Sequence, residues 1–161
     1  MQMKSEKGVT LVVLVITIII LAILATIAID EVENLMEQVN LETVGTDLLI
    51  VQAKAKVIAE KANFNDDNSL LKGQKISEIT DNEQINSLKT KGIISESETN
   101  YDDYYMWNKQ TIEELEIGIT KMSDSDFFIV NYETEEVIYP QGYEHKDGNI
   151  YYKLTEITEL D

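Results

Sequence analysis

The chain of 161 residues contains no cysteine, no arginine, a single proline, Pro140, and a single histidine, His145. Without cysteine there is no disulfide staple and no thiol nucleophile or thiolate metal ligand, so the folded part must be held by packing. With one histidine the usual zinc sets and the serine–histidine hydrolase constellation are out of reach. His145 is read as a surface residue among turn residues. The positive side is also thin, with 13 lysines against 30 acids and a net charge of −17. Such a chain repels nucleic acid and anionic lipid surfaces, and no nucleic-acid partner is expected. No catalytic, cofactor-binding or metal-ligating residue is assigned, and the chain is read as a non-enzyme. The acidic stretches Asn65–Asp66–Asp67 and Asp124–Asp126 lack the glycine and terminal glutamate of a helix–loop–helix calcium loop and are read as solvated loops.

What the chain does have is a run from Val9 to Ile29 of 21 residues whose only polar members are Thr10, Thr17 and Thr26. At 1.5 Å per residue the run is about 31 Å long, matched to a hydrocarbon core of about 30 Å. Lys4 and Lys7 precede it and Asp30, Glu31 and Glu33 follow. The positive-inside rule therefore places residues 1–8 in the cytoplasm and everything after Ile29 outside. An ordinary secretory signal has a shorter apolar region of about 7–15 residues and a small-x-small cleavage site. An uncleaved signal anchor fits the hydropathy as well as any other reading. Gly8 is the position that separates them.

A short polar leader ending in Lys7–Gly8, then Val9, Thr10, Leu11 and a long aliphatic helix, resembles the class III signal of type IV prepilins and type II secretion pseudopilins. The resemblance implies that a prepilin peptidase cuts between Gly8 and Val9 and methylates the new N-terminus at Val9. It also implies that Val9, Thr10, Leu11, Val13 and Leu14 begin an assembly helix that packs against other pilin or pseudopilin subunits. Glycine suits the cleavage point because its backbone enters a tight protease cleft without steric cost. One position departs from the family: the fifth residue after the cut, normally glutamate, is Val13. In that family loss of this acid goes with minor or atypical subunits, and similar N-termini occur in pilin-like proteins of Gram-positive anaerobes. A second departure is Asp30, where many members carry a helix-kinking proline.

The helix is expected to run past the apolar segment, from about Lys7 to Ala62. Between Asp30 and Asn63 there is no proline and one glycine, Gly45, a candidate bend, while Val32, Leu35, Met36, Val39, Ile50, Ala53 and Val57 recur near helical spacing. After Asn63 a loop over 65–69 is expected, then a short helix over Asn82–Lys91 with Asp81 as N-cap, Gln84 as its capping-box partner and Gly92 as its stop. The stretch 95–108 reads as loop, with Tyr101, Tyr104, Tyr105 and Trp107 either covering a small core or offering a stacking surface to sugars or a partner protein. A second short helix opens at Thr111 and closes at Gly118. Phe127–Tyr132 and Glu136–Tyr139 then read as an antiparallel hairpin ended by Pro140, Ile150–Lys153 as a third strand, and the acidic C-terminus as frayed.

The expected class is α+β: a long N-terminal transmembrane helix continuing into a small globular head with short helices and a small antiparallel sheet. The expected organisation is a cytoplasmic leader over 1–8, a transmembrane and filament-core helix over 9–29, its amphipathic extension over 30–62, and an extracytoplasmic head over 63–161. The function this implies is that of a structural subunit, first a single-pass cell-membrane protein and then part of an extracellular type IV pilus or secretion pseudopilus. The alternatives are a monomeric membrane-anchored surface binding module and a secreted calcium-dependent adhesin or enzyme.

Overall fold

The computed structural model describes residues 6–95, 101–120 and 122–160, with the side chains of 6–10 and 25–34 outside the description. Two compact units divide the chain, Met1–Asn40 and Leu41–Asp161.

A single helix, α1 (Glu6–Asn65), contributes to both units. It runs through Gly45 without a break in the helix. In the N-terminal unit its residues 11–24 are exposed all round, and the Thr17 hydroxyl donates to the carbonyls of Val13 and Leu14. That back-bonding keeps threonine compatible with an aliphatic helix.

The transmembrane element expected over 9–29 is corrected by the structure: among the described residues no helix is long and apolar enough to cross a membrane. Within the run, the side chains described span 11–24.

The C-terminal unit is built on a five-stranded antiparallel sheet in the simple order β1-β2-β3-β4-β5. The strands are β1 (Gln74–Lys75), β2 (Tyr104–Asn108), β3 (Phe127–Asn131), β4 (Val137–Glu144) and β5 (Ile150–Lys153). Short helices α2 (Glu83–Thr90), α3 (Lys109–Glu114) and α4 (Leu154–Thr158) sit between and after them.

The central strand, β3, is buried at all five positions because both faces of the sheet are covered. Phe128 and Val130 join Tyr105, Trp107 and Val137 against Leu48, Val51, Ala55 and Ile58 of α1. Phe127 and Ile129 turn the other way, toward Ile76, Ile85, Leu88 and Ile94. The period-2 alternation of a strand thus sends alternate members of one apolar run into two cores.

Several sequence expectations are revised. The stretch read as loop contains β2, whose five residues pair in full register with β3, Tyr104 opposite Asn131 through Asn108 opposite Phe127. Pro140 does not end the second strand: β4 continues to Glu144. Its pairing with β5 is interrupted between Ile138 and Tyr143, so the missing amide proton falls where the ladder is already broken. Asn82, not Asp81, caps α2, its Oδ1 accepting from Ile85 N–H at 3.0 Å. Asn108 caps α3 in the same way through Thr111 N–H at 2.9 Å. The C-terminus forms α4, with Leu154 and Ile157 buried one turn apart.

Trp107 is fully buried, and its Nε1 donates to the Lys72 carbonyl at 2.9 Å. The Tyr132 hydroxyl closes the same clamp, accepting from Lys72 N–H and donating to Lys72 C=O, both at 3.0 Å. Burial pushes the Tyr132 hydroxyl up to about 12, against the opposing pull of its bonds to the Lys72 backbone. Gly73 follows at φ +91°, and a Cβ there would come within 2.5 Å of Trp107 Cδ1 and 2.7 Å of the Met106 carbonyl oxygen. Gly73→Ala is therefore expected to cost about 3 kcal/mol, combining a forbidden backbone angle with overpacking. Urea unfolding followed by Trp107 fluorescence measures it.

Candidate assembly site

The residues singled out for processing lie in the N-terminal part of the described helix α1. Gly8 and Val9 lie within α1. The side chains of Val9 and Thr10 lie outside the described residues. Leu11, Val13 and Leu14 are described, and they are 64 %, 57 % and 59 % exposed.

They belong to a larger feature. Twelve leucine, isoleucine and valine side chains between Leu11 and Leu24 are each 47–64 % exposed, forming an aliphatic sleeve with no preferred face. A monomeric soluble protein rarely leaves a contiguous apolar patch larger than about 300–600 Å². Covering such a half-exposed side chain is worth about 1 kcal/mol. The sleeve is therefore a surface that gains from being covered.

In the C-terminal unit α1 has two characters. Leu48, Val51, Ala55, Ile58, Ala59 and Ala62 face the sheet, whereas Leu49, Ile50, Val57 and Phe64 remain exposed on the other side. One acid belongs to the inward face: Asp47, 8 % exposed, accepts from the Thr120 N–H at 3.2 and 3.3 Å and from the Thr120 hydroxyl at 3.1 Å. It ties the 115–120 connection to α1. A lone acid in an amphipathic helix gives no sequence sign of such a role, and Thr120 is 73 positions away. Opposite the next turns, Gln52 Nε2 donates to the Glu135 carbonyl at 2.9 Å and Lys56 pairs with the Glu135 carboxylate at 3.0 Å, both at the β3–β4 turn.

The other residues considered from sequence are placed as follows. Tyr105 and Trp107 are buried on the α1 face of the sheet, while Tyr101 and Tyr104 pack on the opposite face, so the four do not form one stacking surface. Beside Tyr105 and Tyr132 lies a cavity of about 450 Å³ with Asn63, Lys75, Asp102 and Asp103 in its wall. The acids of the two candidate calcium stretches are used locally. Asp67 accepts from Ser69 N–H at 2.9 Å, Asp124 pairs with Lys109 at 2.6 Å, and Asp126 accepts from Ser123 N–H at 2.7 Å and from Gln141 at 2.9 Å. Among the described residues no three histidine, cysteine, aspartate or glutamate side chains are grouped so as to hold a metal ion. His145 lies between the rings of Tyr143 and Tyr151, 3.4 Å from Asp147. The Asn149 amide and the Tyr151 hydroxyl, both donating to Asp147, hold its carboxyl down at about 2.

Compared with known proteins, the chain matches no family model, no curated protein and no solved structure.

Proposed function

We propose that the chain is a structural subunit of an extracellular filament of the type IV pilin or pseudopilin kind, cut after Gly8 by a prepilin peptidase and assembled through α1. The observation that carries this is the aliphatic sleeve at 11–24, directly downstream of the Lys7–Gly8–Val9–Thr10–Leu11 signal. Identical or related helices covering one another's sleeves would remove apolar surface from water and gain close packing. The C-terminal unit, acidic and held by its own two cores, supplies the outer surface. Val13 in place of the family's glutamate leaves the Val9 amine without the usual acidic partner, which favours a minor or atypical subunit.

Electron microscopy of material sheared from cells expressing the chain, labelled with an antibody to residues 41–161, tests this. Labelled filaments are expected. Recovery of the chain only as unassembled protein would overturn the proposal.

A further inference from the structure

The cavity of about 450 Å³ beside Tyr105 lies wholly within the C-terminal unit, between the end of α1 and strands β1 to β3. Its size falls in the range of about 300–1,000 Å³ that small-molecule sites occupy. Tyr105, in its wall, is only 7 % exposed, yet among the described residues its hydroxyl makes no hydrogen bond. Buried polar groups are almost always paired, so this one marks a place where a partner belongs. Burial holds the Tyr105 hydroxyl above the ordinary tyrosine range, with Lys75 pulling it down and Asp102 and Asp103 pushing it further up. All three charges stand in the cavity wall, so the hydroxyl faces the cavity.

The rest of the wall is also open to a ligand. Among the described residues the side chains of Asn63, Asn68, Lys75 and Glu133 make no hydrogen bond, whereas the Tyr132 hydroxyl is taken up by the Lys72 backbone. The Ser77 hydroxyl donates to Asp102 at 2.6 Å and steadies that carboxylate. An anion would meet Asp102, Asp103 and Glu133 against one ammonium. An organic cation uses the acids but meets Lys75, and it leaves that ammonium and both carboxamide NH2 groups without an acceptor. A sugar hydroxyl donates and accepts at once, so a neutral sugar engages donors and acceptors alike and brings no charge into the cavity. A cavity of about 150 Å³ holds a benzene ring, so this one has room for a pyranose and its hydroxyls. Ala59 and Leu71 supply apolar contact for the C–H face of the ring.

We propose that this cavity binds a neutral sugar, one pyranose ring of a mono- or oligosaccharide, with the Tyr105 hydroxyl hydrogen-bonded to it. The full chain, in a detergent without a sugar headgroup, is probed by saturation-transfer difference NMR with glucose, galactose, mannose and N-acetylglucosamine, and with putrescine as the cationic control. Transfer to at least one sugar is expected. Tyr105→Phe should weaken that binding about tenfold or more, and its melting transition should match the wild type because the hydroxyl has no partner in the folded chain. Lys75→Met should weaken it as well. Transfer to none of the four sugars, transfer to putrescine alone, or either variant binding sugar as the wild type does would overturn the proposal. None of these readouts involves assembly, so the filament assignment stands or falls separately.

Discussion

Trp107→Ala is expected to lower the unfolding free energy of the C-terminal unit by about 4 kcal/mol, a large part of the roughly 5–15 kcal/mol that holds a typical domain folded. Three causes add. The indole is fully buried between β3 and α1, and its removal leaves a void in a core built from rigid elements. Its Nε1 bond to the Lys72 carbonyl is lost, leaving Tyr132 alone to hold that peptide. The tight passage at Gly73, shaped around the ring, loses its counterpart. Trp107→Phe keeps most of the volume and drops only the hydrogen bond, so a smaller cost of about 1–2 kcal/mol is expected. Urea titrations followed by far-UV circular dichroism separate the two variants. A cost for alanine below that for phenylalanine would contradict this view of the core.

Gly8→Val is expected to have the largest functional effect, lowering leader removal about a hundredfold and filament yield with it, on the scale of a small misplacement at a reacting bond. Gly8 lies in α1, and glycine lets the backbone adopt the conformations that a protease cleft demands. A β-branched residue stiffens that position and puts side-chain atoms against the protease cleft. The C-terminal unit is untouched by the change. Its melting transition should match the wild type, so a lost filament would trace to processing and not to folding.

The parts of the fold that the sequence reveals are those with strong local chemistry. Phe127–Asn131 shows itself as an apolar β-branched and aromatic run, and Ile150–Lys153 follows a clear Asp147–Gly148–Asn149 turn. Uninterrupted helix from the leader to the end of α1 follows from the absence of proline over that range. Tyr104–Asn108 was obscured because its neighbours serve two different cores, so tyrosine, methionine and tryptophan alternate without the polar face that marks a half-buried strand. Gln74–Lys75 is too short to carry any periodic signal; only its pairing to Tyr105 and Met106 makes it a strand. Pro140 misled because a proline is compatible with a strand wherever the ladder is already interrupted, and that interruption depends on β5 and on Gly142, where a Cβ would strike Ile150. The apolar run over 9–29 reads as a membrane span on hydropathy alone, whereas among the described residues no helix is long and apolar enough to cross a membrane.

The site was legible only in part. Gly8 and the aliphatic run are local features, but the tie from Asp47 to Thr120 spans 73 positions and α4 joins the core only in the folded unit. A C-terminus rich in acids gave little sign of that helix, although Leu154 and Ile157 hold the i, i+3 spacing of a buried face.

The central claim is that the chain is made as a precursor and matures by cleavage after Gly8 into a filament subunit. Mass spectrometry of the native chain recovered from cells reads this directly. The predicted N-terminal peptide begins at N-methylated Val9; a mature chain that still begins at Met1 would contradict it.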